Sequence, residues 1–417
     1  MSKIVQNRIF RPAIFYFLVV LISGVWLRIQ WTWPELTILN AKFLIHAHSH
    51  LALLGWIFPV VSGFFVLSFV PNSDQKSLTS LRYWIPIHFC IIAMTVAFSL
   101  QGYAFWSISL STLYILITSI WSIHFLLKMD DQNTSKTLLV KLAVFSFLGS
   151  NMGPLALSGG TLYGESWITF WITYYLHSQF SLWIPLGVLA IMFSVYDGSL
   201  KSGVSEKSIR FTNISKIMIW GYFIGSILQL ETMSRALNIF RLTPLIGVLG
   251  SILVIITSFY LVYILSIRNR VSYLILTGLL LFAIKSILQF IASIPDIGQL
   301  FIEIHFLKIG YTHLLLLGSY TFILIGFLEI LKFKINSNES DSHIWDNQNH
   351  SLVSKLATTK LNSTGLLIFM VGSLSMILLL MTIGISQYLG IYLDFNIQFY
   401  LFLTGFISLA GFITSLR

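Results

Sequence analysis

The chain has 417 residues, of which 56% are hydrophobic and only 10% are charged, and its mean hydropathy is +0.84. Soluble domains carry about a quarter charged residues, so this composition excludes an ordinary soluble protein and indicates an integral membrane protein. The net charge of +10 would fit nucleic-acid binding in a soluble protein, but in a membrane protein it reflects topology, and we expect no nucleic-acid partner. The single cysteine, Cys90, excludes an internal disulfide and a cysteine-based metal site, so any metal chemistry would use histidine.

Twelve apolar runs are long enough to span the hydrocarbon core of a membrane, which takes about 20 residues as a helix. We therefore predict an all-α integral membrane protein of twelve transmembrane helices that forms a single domain over residues 1–417. The predicted spans are 13–27, 45–69, 83–101, 105–127, 138–157, 168–195, 214–230, 244–267, 271–294, 300–331, 365–385 and 391–413. A segment rich in Asn and Ser, at about 334–364, is predicted to be a polar cytoplasmic loop.

The distribution of positive charge supports this topology. Most of the 25 Lys and Arg residues fall in segments that lie on the same side as the N-terminus when twelve spans are counted. Cytoplasmic loops of membrane proteins carry such an excess of Lys and Arg. We expect a multi-pass protein of the bacterial cytoplasmic membrane, in contact with lipid, with both termini in the cytoplasm.

Histidines from three distant spans are predicted at a similar depth near the outer membrane face. His46, His48 and His50 begin the second span, His177 lies in the sixth, and His313 lies in the tenth. Successive helical residues are about 100° apart, so His46 and His50 share one face and His48 points nearly opposite. Neutral imidazole ligates haem iron, copper or zinc. Histidines that meet between helices at one depth are therefore suited to holding a prosthetic group.

This pattern resembles subunit I of the haem-copper oxidases and the related nitric oxide reductases. The resemblance covers the whole predicted topology, and its local motifs are residues 47–56 (AHSHLALLGW), 177–180 (HSQF) and 311–314 (YTHL). It implies a low-spin haem b bound by two histidines, which here are His50 and His313, with His48 as the competing choice in the second span. It also implies electron transfer from a cytochrome c or quinol donor, association with other membrane subunits, and reduction of O₂ or NO at a second centre.

The chain departs from this family at the second centre. Tyr311 stands where the family has a histidine ligand of a high-spin haem. Tyrosinate can ligate haem iron, and an ordinary interhelical hydroxyl contact is the alternative. The family's copper takes one histidine from the sixth span, here His177, and an adjacent pair from the seventh, which has no histidine. The resemblance therefore supports the architecture and the low-spin haem more than it supports copper, a second haem or gas reduction.

Arg235 and Arg241, which follow the seventh span, are predicted partners of haem propionates facing the outer surface.

A neighbouring twelve-helix membrane family linked to nitric oxide stress carries a similar His-x-His followed by an apolar run with glycine. A non-enzymatic copper, zinc or haem handling protein using residues 46, 48 and 50, and then a secondary transporter, are the other interpretations.

Overall fold

The computed structural model describes residues 2–157, 164–197, 206–232, 244–267, 271–295, 297–298, 303–339, 362–391, 393 and 396–416. Nearly all of these residues are helical, and none of them is in a strand. The long helices are, in chain order, α1 (Lys3–Thr32), α2 (Ala41–Phe69), α3 (Leu81–Gln101), α4 (Phe105–Lys128), α5 (Ser135–Ala156), α6 (Glu165–Val195), α7 (Glu206–Leu228), α8 (Pro244–Ser266), α9 (Tyr273–Ser293), α10 (His305–Leu331), α11 (Ser363–Tyr388) and α12 (Ile397–Ser415). The predicted all-α membrane bundle is confirmed.

Within the described ranges, eleven of these helices, all except α7, are long and apolar enough to cross a membrane. The chain is therefore a multi-pass membrane protein. Helix α7 stands at the position of the seventh predicted span, and the total of twelve spans stays a prediction.

Two boundaries differ from the predicted ones. Helix α1 begins at Lys3, ahead of the predicted span 13–27, because hydropathy detects the part of a helix that lies in lipid and not its polar extension. The helix that contains α10 continues to Glu339, so the polar loop begins later than residue 334. The part of the predicted loop at 340–361 lies outside the described residues.

Polar residues at the ends of the helices explain where several of them begin. The side chain of Asn40 accepts a hydrogen bond from the backbone N–H of Lys42 at the start of α2. Ser80 and Asn362 cap α3 and α11 in the same way. Such caps satisfy backbone N–H groups that have no partner within the helix.

The first and last helices pack together. Helix α1 contacts both α2 and α12, and α10 contacts both α9 and α11. The Phe17 ring of α1 is stacked on Trp56 of α2, with ring centroids 4.6 Å apart, and lies edge-on to Phe412 of α12 at 4.9 Å. Aromatic pairs of this kind add to the stabilisation from buried area. They bring α1, α2 and α12 together around one side of the cavity described below.

The outer faces of α3 and α4 carry large apolar side chains that are exposed, including Ile85, Phe89, Phe105 and Trp106. In a helix bundle that crosses a membrane, such surfaces face the lipid chains. Lipid contact is therefore a property of the fold.

Three helices contain a π-helical segment directly after a histidine. These segments are Leu51–Ile57 after His50, Ser178–Trp183 after His177, and Leu314–Tyr320 after His313. Another π-helical segment, Gln6–Phe10, lies at the start of α1. Because π-helical segments are rare and concentrate at functional sites, their recurrence in α2, α6 and α10 draws attention to the same helices as the histidines do.

Side chains of neighbouring helices bind to these π-helical segments. The Tyr114 hydroxyl of α4 donates to the Leu54 carbonyl at 3.0 Å, and the Tyr320 hydroxyl of α10 donates to the Phe180 carbonyl of α6 at 2.7 Å. A π turn changes the pairing of the backbone within a helix, and these hydroxyls satisfy carbonyls in the altered region. The rotation of α2 and α6 about their own axes is thereby fixed by contacts with other helices.

Candidate functional site

A cavity of about 310 Å³ lies among α1, α2, α10, α11 and α12. Its volume is at the lower end of the range of roughly 300–1,000 Å³ found for small-molecule sites. Most of its wall is apolar, and the polar exceptions include His48 from α2 and His313 from α10. Two imidazoles that are far apart in the sequence therefore line one cavity.

The two histidines lie at a similar depth from the membrane face where α1 ends and α2 begins, which we call the α1–α2 face. His48 is seven residues into α2 and His313 is eight residues into α10, which places them about 10 Å and about 12 Å along their helices. Arg28, His305 and Lys308 also line the cavity, and they lie closer to this face. The cavity is therefore charged towards its α1–α2 end, carries imidazoles at mid-depth, and is apolar beyond them.

Hydrogen bonds select one tautomer of His48. The Ser23 hydroxyl donates to the backbone carbonyl of Val20 at 2.9 Å, and the same oxygen lies 3.0 Å from His48 Nδ1. Since the serine proton is already used, Ser23 accepts a hydrogen bond and His48 Nδ1 donates it. The His48 Nε2 atom is then left with a free lone pair, as a metal ligand requires.

A hydrogen bond also selects one tautomer of His313. Its Nδ1 lies 2.9 Å from the backbone carbonyl of Ile309, which can only accept a hydrogen bond. His313 is therefore protonated at Nδ1, and its Nε2 carries a free lone pair. Metal-ligating histidines are commonly oriented by such a bond to a carbonyl, hydroxyl or carboxylate on the far side of the ring. The cavity thus contains two imidazoles that are both prepared for coordination through Nε2.

The backbone of α1 approaches the His48 ring at Gly24. A Cβ atom at position 24 would lie 3.2 Å from His48 Cε1, which is closer than most Cβ contacts. Glycine at this position gives the imidazole the space to lie against α1 while it bonds to Ser23. The position of His48 is therefore set by two successive residues of α1.

Arg28 supplies positive charge at the α1–α2 end of the cavity. Only 6% of this residue is exposed, and its guanidinium lies over the Trp31 ring at 5.0 Å. Among the described residues, no carboxylate forms an ion pair with this guanidinium. A buried, uncompensated cation in a membrane is costly, so a ligand that places an anionic group beside Arg28 would be favoured.

The structure places His50 outside the cavity that His313 lines, although these two histidines are the pair expected from the sequence to share a haem. His50 lies on the opposite side of α2 from the cavity, where its ring is stacked on Phe98 of α3 with centroids 4.2 Å apart. The periodicity of the helix correctly placed His48 on the other face from His46 and His50. The competing choice, His48, is the α2 histidine that faces the same cavity as His313.

Tyr311 and His177 lie in a different place, between α6, α7, α9 and α10. We call His177, Tyr222, Lys285, Gln289 and Tyr311 the polar cluster. His177 Nε2 donates to the backbone carbonyl of Ser226 at 2.7 Å, and Lys285 Nζ donates to the Tyr222 hydroxyl at 3.2 Å. Tyr311 lies beside Gln289 and within electrostatic range of Tyr222. Helix α10 therefore presents His313 to the cavity and Tyr311 to the polar cluster.

The polar cluster does not fit the copper centre that the resemblance implies. The nitrogen of His177 that donates to Ser226 carries its proton there and is not a ligand in this state. In the described part of the chain, no three histidine, cysteine, aspartate or glutamate side chains are grouped so that they could hold a metal ion. Arg235 and Arg241, the predicted propionate partners, lie outside the described residues.

Sequence reasoning missed several residues of the cavity. Gly24 and Arg28 of α1 line the cavity, and Ser23 of the same helix forms a hydrogen bond with His48. Helix α1 has no histidine, so there was no reason from the sequence to place these residues at a site. Their spacing offers one signal, because Gly24 and Arg28 are four residues apart and share a helical face. Tyr222 in the polar cluster carries no comparable signal, since nothing near it in the sequence distinguishes it from a tyrosine at the membrane interface.

The comparisons with known proteins leave the family of the chain open. No protein-family model matches the sequence, and no curated protein matches it either.

Proposed function

We propose that the chain is a haem-binding membrane protein that carries out electron transfer, organised like subunit I of the haem-copper oxidases with twelve spans. The observation that carries this proposal is that His48 and His313, from helices distant in the sequence, line one cavity with both Nε2 atoms free to act as ligands. A bis-histidine haem b is the group that best fits these donors. When bound by two neutral imidazoles, haem supplies one-electron redox chemistry at its iron.

The shape and polarity of the cavity support this assignment. Haem has an apolar ring and two carboxylates on one edge. The apolar wall formed in part by Phe17 and Ile57 would bind the ring, and Arg28 at the α1–α2 end would bind the carboxylates. His48 and His313 would hold the iron, while Ser23 keeps the His48 ring oriented.

We place the protein in the bacterial cytoplasmic membrane with both termini in the cytoplasm, on the basis of its excess of Lys and Arg in alternate loops. In this orientation the α1–α2 face is the outer face of the membrane. An electron donor such as a cytochrome c or a quinol would reach the site from that side or from the lipid. Reduction of O₂ or NO is not part of this proposal, because the polar cluster lacks the donor set of the family's second centre.

The test is the absorption spectrum of the purified protein with single histidine substitutions. We expect the native protein to show the sharp reduced bands of a low-spin, bis-histidine haem b. His48→Ala and His313→Ala should each abolish these bands, because either substitution removes one iron ligand. His50→Ala should retain them, because His50 faces α3 and not the cavity.

His50→Ala is the matched control, since it removes the same side chain two residues away on the same helix. A native preparation without haem would refute the proposal, provided that the protein is folded by circular dichroism. Loss of the bands in His50→Ala with retention in His48→Ala would assign the ligand to the other face of α2 and contradict the structure.

A further inference from the structure

His46 and His50 form a pair on the face of α2 that is directed away from the cavity. They are four positions apart within the helix Ala41–His50, so their side chains lie one above the other. Two histidines at this spacing on a helix form the zinc-binding part of a common metal motif. His50 Nδ1 donates to the backbone carbonyl of His46 at 2.9 Å. His50 Nε2 therefore keeps its lone pair, in the tautomer that metal ligation requires.

Tyr103 completes this group from the turn between α3 and α4. Its ring lies against both imidazoles, with centroids 4.6 Å from His46 and 5.8 Å from His50. Gly102 has a φ of +62°, and a Cβ there would lie 2.6 Å from the ring of Phe43 in α2. This glycine lets the turn lie close against α2 and brings Tyr103 to the two histidines.

The distance between the Tyr103 hydroxyl and His50 Nε2 fits two atoms bound to one metal ion better than it fits a direct hydrogen bond. The Tyr103 hydroxyl lies 3.5 Å from His50 Nε2, at the far limit of a hydrogen bond. Two donors bound to one tetrahedral zinc at 2.0–2.1 Å are about 3.3 Å apart. No hydrogen bond engages the ring nitrogens of His46 within the described part of the chain, so that imidazole is available as well.

We propose that His46, His50 and Tyr103 form a binding site for a late first-row divalent metal ion, Zn²⁺ or Cu²⁺, separate from the haem cavity. Imidazole nitrogens with one oxygen ligand suit both ions, and water completes the coordination. Tyr103 is 58% exposed and lies in the turn between α3 and α4, at the α1–α2 face. This proposal does not depend on the presence of haem.

The experiment titrates the full-length protein in detergent, after treatment with EDTA, with Zn²⁺ alone and then with Cu²⁺ alone. We expect one equivalent of each ion to bind in competition with a metal indicator. His46→Ala and His50→Ala should each weaken binding by about tenfold or more. Tyr103→Phe should also weaken binding, and by more than the same substitution at an exposed tyrosine elsewhere on the protein. With Cu²⁺, the electron paramagnetic resonance spectrum of the native protein should show nitrogen ligands that are lost in His50→Ala.

His124→Ala is the control histidine variant, because His124 pairs with Tyr83 on other helices. Equal binding by the native protein, His46→Ala and His50→Ala would identify adventitious metal only and overturn the proposal. The absence of stoichiometric binding would also overturn the proposal. Circular dichroism shows whether each variant is folded. His48→Ala should bind the metal normally, so failure of the haem assignment and failure of this site can be told apart.

Discussion

The histidine cavity depends on which face of one helix meets its neighbours. Helical periodicity separates His48 from His46 and His50, and the sequence is sufficient to predict that separation. It does not predict which face turns towards α10, because the rotation of α2 is set by tertiary contacts. One such contact is the hydrogen bond from Trp56 Nε1 to Thr321 Oγ1, at 2.9 Å and between residues 265 positions apart. A pairing over that sequence distance cannot be derived from local spacing.

Gly24 provides a prediction at the scale of one residue. Under the proposed haem assignment, Gly24→Val should greatly reduce haem content, because its side chain would occupy space within 3.2 Å of the His48 ring and displace that imidazole. Gly24→Ala should have a smaller effect, since the ring has to move by only a few tenths of an ångström. Haem per protein, measured by absorbance after purification, tests both.

Gly405→Ala is the control for this prediction, because Gly405 lines the same cavity but its Cβ would meet only Val25 and Met376, at 3.7 and 4.0 Å. It should leave the haem content unchanged. A full haem complement in Gly24→Val would show that the His48 ring does not occupy its place against α1.

At the scale of helices, the π-helical segments of α2, α6 and α10 are connected to other helices through side-chain hydroxyls. The sequence HLALLG at 50–55 resembles HLLLLG at 313–318. Both stretches form π-helical segments immediately after the histidine. Hydropathy could not reveal this, because α and π turns have the same apolar content. They differ in which backbone groups form hydrogen bonds.

The hydroxyls that bind these segments should contribute to stability. Tyr114→Phe and Tyr320→Phe each leave a backbone carbonyl, of Leu54 or Phe180, without its side-chain donor. We expect each substitution to lower the free energy of unfolding by about 0.5–1.5 kcal/mol. Unfolding in mixed micelles with increasing SDS measures this quantity.

Tyr263→Phe serves as the comparison, because Tyr263 is 61% exposed on α8. It should change stability much less than the two buried substitutions. If all three variants unfold alike, the π-helical segments do not depend on these hydroxyls.

At the scale of the whole molecule, hydropathy predicted the all-α bundle well because burial in lipid imposes long, continuous apolar runs. For example, the span predicted at 168–195 corresponds to Glu165–Val195, and 83–101 corresponds to Leu81–Gln101. The depth of the histidines also followed from the spans. The cavity did not, because it depends on how α1, α11 and α12 pack beside α2 and α10.

The orientation of the bundle can be tested with introduced cysteines, because Cys90 is fully buried and should not react. Thr37 is exposed between α1 and α2, and Gln132 is exposed between α4 and α5. In intact cells with the outer membrane permeabilised, a membrane-impermeant maleimide should label Thr37→Cys and not Gln132→Cys, because the positive charges place the N-terminal side in the cytoplasm. The reverse labelling would invert the topology, and labelling of both from one side would contradict the span count.

The π-helical segment of α10 has a consequence for how this sequence can change over evolution. Such a segment is equivalent to one extra residue within an α-helix, and in α10 it separates His313 from Thr321, the residue that accepts the hydrogen bond from Trp56. Deleting one residue there and restoring a regular helix would leave the imidazole and that anchor on nearly the same relative faces, because the π turn accommodates its extra residue without turning the flanking α-helix. Natural variants without the π turn should therefore be one residue shorter between these two positions and keep the histidine on the same face, whereas a deletion in a regular part of the helix would turn its two sides by about 100° relative to each other.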